Sequence, residues 1–245
     1  MYPFTNWHPS RGFYDGRKRH IVAGQIADMR WAGLDAGIAS WWGRGSKEDL
    51  RLRLLLRVAR GTPFRWSLYY EPEAQRDPSV SAIARDIGYI VRNRGSAHSF
   101  LRISGRPVIF VYADTGDACQ MVRRWKRAND GRAYLVLKVF PGYRDCVARP
   151  DAWHQYAPAV RRDRQGRHSF SVSPGFWLKG EAVRLARRPA LFNRDVKAMV
   201  ASKARFQLVT TYNEWGEGTA VESAREWSTK NRHGTYLAIL HRHLG

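Results

Sequence analysis

The chain has 245 residues, with 42 Lys and Arg against 21 Asp and Glu, giving a formal charge of +21 at neutral pH. Its 44% apolar and 13% aromatic content is enough for a large core and excludes a disordered chain, which combines high charge with low hydrophobicity. The longest apolar runs, such as Pro107–Ala113, fall far short of the roughly 18–20 residues a membrane-spanning helix needs.

Extended runs alternate with helical patterns, the order expected of parallel strands joined by crossover helices. The strand runs in chain order are Tyr2–Trp7, Leu34–Trp42, Phe64–Tyr70, Pro107–Ala113, Ala133–Phe140, Ala152–Tyr156, Ser169–Val172 and Phe206–Tyr212. Between them, Arg17–Trp31 puts Ile21, Val22, Ile26 and Met29 on one helical side. Ser46 with Asp49 reads as a capping box opening a helix whose apolar stripe is Leu50, Leu54 and Val58. A third helix is expected from Asp77 as N-cap with Pro78 at its first position, burying Val80, Ile83, Ile87 and Ile90. Further helices fit Asp117–Ala128, Arg194–Ser202 and Thr235–Leu244.

Eight strands with intervening helices predict an α/β fold, a single (β/α)8 barrel domain over residues 1–245. It is expected to be irregular around strands five to seven. The joins from Phe140 to Ala152 and from Tyr156 to Ser169 are short for crossover helices, and Arg164-Gln165-Gly166 suits a hairpin.

In such barrels the chemistry sits where strands end. Those ends carry Trp41-Trp42, Glu71, Asp114, Tyr156 and the run Asn213-Glu214-Trp215-Gly216-Glu217. Trp41 and Trp42 point to opposite sides if both lie in the strand, so at most one faces a ligand. Glu214 and Glu217 are two carboxylates three residues apart on a glycine-containing turn, with the apolar face of Trp215 between them. A carboxyl held against an indole and away from water has its pKa raised and can act as an acid near neutral pH. Paired carboxylates of unlike pKa are what glycosidic cleavage requires. The bland alternative is a turn whose acids cap loops or pair with Arg, and Glu222 is read as structural.

The stretch Asn213-Glu214-Trp215-Gly216-Glu217-Gly218-Thr219 resembles the Asn-Glu-Trp-x-Glu-Gly-Thr signature of glycoside hydrolase family 99. Tyr2-Pro3-Phe4, the block from Gln25 to Gly43, Tyr69-Tyr70-Glu71 and Trp153-His154-Gln155-Tyr156 resemble further family blocks in order. The resemblance implies a (β/α)8 barrel that hydrolyses α-mannosidic linkages with retention and with no cofactor or metal. It implies that Glu214 is a base on the substrate's own 2-hydroxyl and that Glu217 is the acid/base. Tyr2, Trp42, Glu71, Tyr156, Asn213 and Trp215 are the expected sugar contacts. Gly216 stands where the mannosidases often carry His, and relatives with this signature include glycosyltransferase-like proteins of polysaccharide loci.

Cys119 should begin the helix after strand four and Cys146 should lie in the loop after strand five. Both then sit on one rim, which predicts a disulfide and an oxidising, extracellular or cell-surface setting. The start Met1-Tyr2-Pro3-Phe4 does not read as a secretory leader, which leaves a cytosolic chain or one whose leader has been removed.

Arg supplies 34 of the 42 basic residues and is spread along the chain. It reads as compositional bias or as attraction to an acidic partner. Its densest groups are Arg161-Arg162-Asp163-Arg164-Gln165-Gly166-Arg167 and the helical set Arg51, Arg53, Arg57 and Arg60. The sequence contains no nucleic-acid-binding motif. The expected partner is a carbohydrate, neutral or anionic, bound by a monomer. The competing reading is a non-catalytic or glycosyltransferase-related barrel that binds a glycan or other polyanion.

Overall fold

A computed structural model describes residues 4–245. Its elements in chain order are α1 (Arg19–Trp31), β1 (Ala36–Trp41), α2 (Lys47–Ala59), β2 (Arg65–Tyr70), α3 (Glu73–Arg76) and α4 (Val80–Ile90). Then come β3 (Arg102–Ile103), β4 (Arg106–Val111), α5 (Cys119–Asn129), β5 (Tyr134–Lys138), β6 (Ala152–His154) and β7 (Arg162–Gln165). The last are β8 (Ser169–Val172), α6 (Pro189–Ala201), β9 (Phe206–Val209) and α7 (Thr235–Leu244). The fold is mixed α/β with mostly parallel strands, and the chain divides into two compact units, residues 35–153 and residues 1–34 with 154–245.

In the central unit the sheet order is β1-β2-β4-β5-β6, and the pairs β1/β2, β2/β4 and β4/β5 are parallel. The strands are apolar on both faces: Leu68, Ile109, Phe110, Val111, Leu135, Val136 and Leu137 are all buried, as expected for a parallel sheet covered by helices. In α4, Ile83, Ile87 and Ile90 are buried as expected, whereas Val80 at its first turn is only half-buried. Its start differs from the expectation. Asp77 has a left-handed backbone (φ 42°) and ends α3, and Ser79 is the N-cap, its hydroxyl accepting the Ala82 N–H at 3.2 Å.

Helix α2 is rotated from its expected setting. Leu52, Leu56 and Ala59 face the core, whereas Leu50 is 54% exposed. The Ser46 hydroxyl caps the Asp49 N–H at 3.1 Å, but the Asp49 carboxylate does not complete a capping box. It turns inward to Arg94, Tyr89 and the Trp41 indole instead. That anchor fixes which leucines are buried.

In the terminal unit β7 and β8 form an antiparallel hairpin and β8 pairs in parallel with β9. Its core is Phe170, Val172, Phe192, Val196, Met199, Trp215, Trp227, Tyr236, Leu237 and Leu240. Of the expected strand Tyr2–Trp7, residues 1–3 lie outside the described residues, and residues 4–7 form a turn and irregular backbone.

Cys119 and Cys146 form a disulfide closing a separation of 27 residues. Closing a loop of that length removes entropy from the unfolded chain and so raises its free energy by about 3.5 kcal/mol. Replacing both cysteines by serine is expected to lower the thermal midpoint, and reductant should lower the wild-type midpoint to match. A midpoint indifferent to both changes would show that the bond contributes no stability.

Candidate active site

The candidate site is built in the terminal unit on the segment after β9. The Thr210 N–H donates to the Val172 carbonyl at 3.0 Å, prolonging the β8/β9 ladder by one bond, and the chain then leaves the sheet. Residues 213–219 form a turn held from inside. The Trp215 N–H donates to Asn213 O (3.0 Å), the Gly218 N–H to Trp215 O (3.2 Å) and the Thr219 N–H to Glu214 O (3.3 Å). The Thr211 and Thr219 hydroxyls meet at 2.7 Å across its neck. Gly218 is required here: its φ is +62°, and a Cβ would lie 2.5 Å from the Trp7 ring.

Arg187 clamps the far side of the turn, donating to the carbonyls of Gly218 and Ala220, each at 2.7 Å. Its guanidinium lies over the rings of Trp227 (4.0 Å) and Tyr236 (4.2 Å), which replace part of the hydration that burial removes.

The turn brings Glu214 and Glu217 into electrostatic contact. The Glu214 carboxyl is open to solvent at its surface yet ringed by protein. Burial raises its pKa first and the neighbouring Glu217 charge adds to the rise, while the Gly216 N–H, donating to Glu214 Oε1 at 3.1 Å, works against both. Glu217 is half-buried and accepts the Tyr156 hydroxyl proton on Oε2. Three of the expected site residues, Glu214, Glu217 and Tyr156, therefore meet.

Asn213 is exposed and leads inward. Its Nδ2 donates to the Tyr14 hydroxyl (3.1 Å), and Tyr14 donates to Glu222 Oε2 (2.6 Å). Glu222 is 1% exposed. Its other oxygen has no hydrogen bond and is 3.7 Å from Arg11 Nε. Arg11 also binds Asp28 at 2.7 Å, and Asp28 accepts from Tyr212 at 3.2 Å. Neither Tyr14 nor Arg11 was anticipated from the sequence. The Tyr14–Glu222 contact spans 208 residues, and no local spacing encodes it.

Burial pushes Glu222 up to about 7, against the opposing hydrogen bond from Tyr14 and the charge of Arg11. In the native state it keeps its proton to about pH 7, whereas the unfolded chain loses it near pH 4.5. The stability it contributes is therefore full below about pH 4.5 and is lost as pH rises through 7, a change on the order of 3 kcal/mol. Glu222→Gln is expected to flatten the stability curve across that window and to raise stability at pH 8. Parallel curves for the two proteins, measured by urea unfolding from pH 4 to 8, would refute this.

Trp215 departs from the expectation. It is buried and stacks on Trp227 (6.0 Å between centroids, 15° between planes), so its indole supports the turn from the core side rather than offering an open face between the carboxylates. Trp42 and Glu71 belong to the central unit, directly after β1 and β2. Trp42 is 42% exposed while Trp41 is fully buried, as their opposite directions require. Glu71 is half-buried and its N–H donates to the Trp41 carbonyl at 3.1 Å. Tyr2 lies outside the described residues.

One acidic group was not anticipated. Among the described residues, Glu73, Asp77 and Asp117 converge closely enough to hold a cation. Arg124 already bridges Glu73 and Asp77, supplying the positive charge itself.

The sequence matches no protein-family model and no curated protein. Its structure is similar to an endo-alpha-mannosidase of family GH99 from Bacteroides thetaiotaomicron, at 20% identity and a TM-score of 0.79, covering 98% of this chain and 82% of that one. A further structure of that enzyme, in complex with bis-tris-propane, aligns at 20% identity and a TM-score of 0.75, covering 98% and 86%. A glycoside hydrolase-like protein aligns at 15% identity and a TM-score of 0.74, covering 98% and 89%. At these identities the likeness is one of fold, and the chain has the fold of these glycoside hydrolases over almost its whole length.

Proposed function

We propose that the chain is a glycoside hydrolase acting on an α-mannoside or related glycan, with Glu214 and Glu217 as its catalytic pair. The observation that carries this reading is the turn at residues 213–219, where two carboxylates are in electrostatic contact and one of them accepts from the Tyr156 hydroxyl. The structural likeness to family GH99 enzymes supports the reaction class. This reading takes residues 1–245 as one (β/α)8 barrel domain. The alternation of strands and helices supports that, together with the extent of the likeness. The Cys119–Cys146 bond supports an oxidising setting outside the cell.

In the proposed reaction, Glu214 accepts the proton of the substrate's 2-hydroxyl as that oxygen attacks the anomeric carbon. Glu217 gives its proton to the departing sugar oxygen, leaving a 1,2-anhydro sugar, and then takes one from the water that attacks the anomeric carbon, while the breaking C1–O2 bond leaves O2 to recover its proton from Glu214. Tyr156, bonded to Glu217 Oε2, orients that carboxyl so that its other oxygen faces the leaving group. Asn213 is exposed beside Glu214 and fixed through Tyr14, which suits it to a sugar hydroxyl. Two inversions at one carbon return the starting configuration. Incubation with a panel of α-mannans, followed by NMR of the first-formed anomer, should therefore show an α product. A β product would refute the retaining route, and the absence of hydrolysis across the panel would refute the reading.

A further inference from the structure

A basic hollow in the central unit, remote in chemistry from the carboxylate pair, has no part in the proposed reaction. Arg53 and Arg57 stand one turn apart on one face of α2, since side chains four residues apart are neighbours on a helix, and Arg60 follows at its C-terminal cap. The facing wall begins with a π-helical turn at Val91–Gly95 and continues through Ala97, His98 and Ser99. Together they line a half-open hollow of about 200 Å³. A π-turn is uncommon and recurs at functional sites.

The lining contains four Arg and one His but no acid. Arg94 is engaged with Asp49 behind the wall, and His98 Nε2 meets the Arg65 guanidinium at 3.2 Å. Arg53, Arg57 and Arg60 have no ion pair or side-chain hydrogen bond among the described residues. The hollow lies toward the start of β2. The Trp66 N–H donates to the Ser99 carbonyl at 2.8 Å, and Arg60 directly follows α2 on the way into that strand. It is thus at the opposite end of β2 from Tyr70 and Glu71.

We propose that this hollow is a binding site for a tetrahedral oxyanion, a phosphate or sulfate group. Three unpaired guanidinium groups around one cavity repel one another, and a doubly charged anion removes that repulsion while accepting paired N–H bonds. A carboxylate offers fewer oxygens and half the charge. The space exceeds that of a single such group, since a water occupies about 30 Å³ of liquid, so a diphosphate or a phosphorylated sugar also fits. The inference does not depend on the reading of Glu214 and Glu217.

Isothermal titration with inorganic pyrophosphate, at fixed ionic strength, tests it on the intact chain. Saturable binding is expected, with Arg57→Gln/Arg60→Gln weakening it at least about tenfold, the loss of one or two charge-assisted contacts. A charge-matched control, Arg51→Gln/Arg123→Gln, removes two exposed Arg that do not line the hollow and should change affinity less than about twofold. Unchanged melting curves would show that both variants are folded. Parallel titrations with inorganic sulfate and a sugar 6-phosphate distinguish the source, tighter binding of the latter pointing to a phosphorylated glycan. No saturation up to about 10 mM pyrophosphate, or equal losses in the two double variants, would overturn the site.

Discussion

Glu217→Gln is expected to lower hydrolysis of a natural glycan by about 10²–10⁴-fold, the usual contribution of a positioned general acid. The same variant should lose far less on a substrate whose leaving group is already acidic, such as a nitrophenyl glycoside, because that departure needs no proton. Glu214→Gln should lose activity on both substrates, since the 2-hydroxyl must be deprotonated to attack whatever the leaving group. The contrast separates the two roles and does not depend on absolute rates. The pH profile adds a second readout. Burial and the Glu217 charge raise Glu214, so the acidic limb, where a base is lost by protonation, lies above that of a free glutamate. Removing the neighbouring charge in Glu217→Gln should shift that limb to lower pH, read with the activated substrate. If both variants lose activity equally on both substrates, the division of labour is wrong. If both keep full activity, the pair is structural.

The strand framework was legible because buried parallel strands read as short apolar runs. Phe64–Tyr70, Pro107–Ala113 and Ser169–Val172 each mark a strand to within a residue or two at either end. The hairpin at Arg164-Gln165-Gly166 was legible from its glycine and from the lack of room for a helix. The turn at 213–219 announced itself through acids and glycines at strand-end spacing. Helix rotation was not legible in α2, where leucines at 50, 52, 54, 55 and 56 satisfy more than one helical register. The choice among them is made by Asp49 reaching Arg94, 45 residues away. The direction of Trp215 was hidden for a similar reason. An indole between two acids looks like a platform until Trp227, twelve residues on, provides a stacking surface in the core. Tyr14 and Arg11 were invisible because Glu222, which both approach, lies more than 200 residues away. Only the folded arrangement brings an N-terminal tyrosine onto Glu222 and Asn213.

The same long-range anchor yields the largest expected loss of stability. Asp49 accepts five hydrogen bonds: from Trp41 Nε1 (3.1 Å), Gly45 N (3.1 Å), Tyr89 OH (2.7 Å) and Arg94 through Nε (3.1 Å) and a terminal nitrogen (2.8 Å). The Asp49 and Arg94 side chains are 1% and 3% exposed, sealed by their immediate neighbours rather than by depth in the protein. Burial by itself would raise the Asp49 carboxyl. The hydrogen bonds from Tyr89, Gly45 and Trp41 and the charge of Arg94 outweigh it and hold the group below the ordinary aspartate range. Removing one partner strands the other charge away from water. Asp49→Ala and Arg94→Met are each expected to cost about 3–5 kcal/mol, a fall of about 10 °C or more in thermal midpoint for a chain of this size. The double variant Asp49→Leu/Arg94→Met leaves no stranded charge and should lose much less than the sum. Because the native carboxyl is depressed, its contribution is present above the unfolded aspartate value and disappears as pH falls below it, so the double variant should also show a weaker loss of stability in acid. Additive single losses, or acid sensitivity equal to wild type, would show that Asp49 and Arg94 act independently and do not set the rotation of α2.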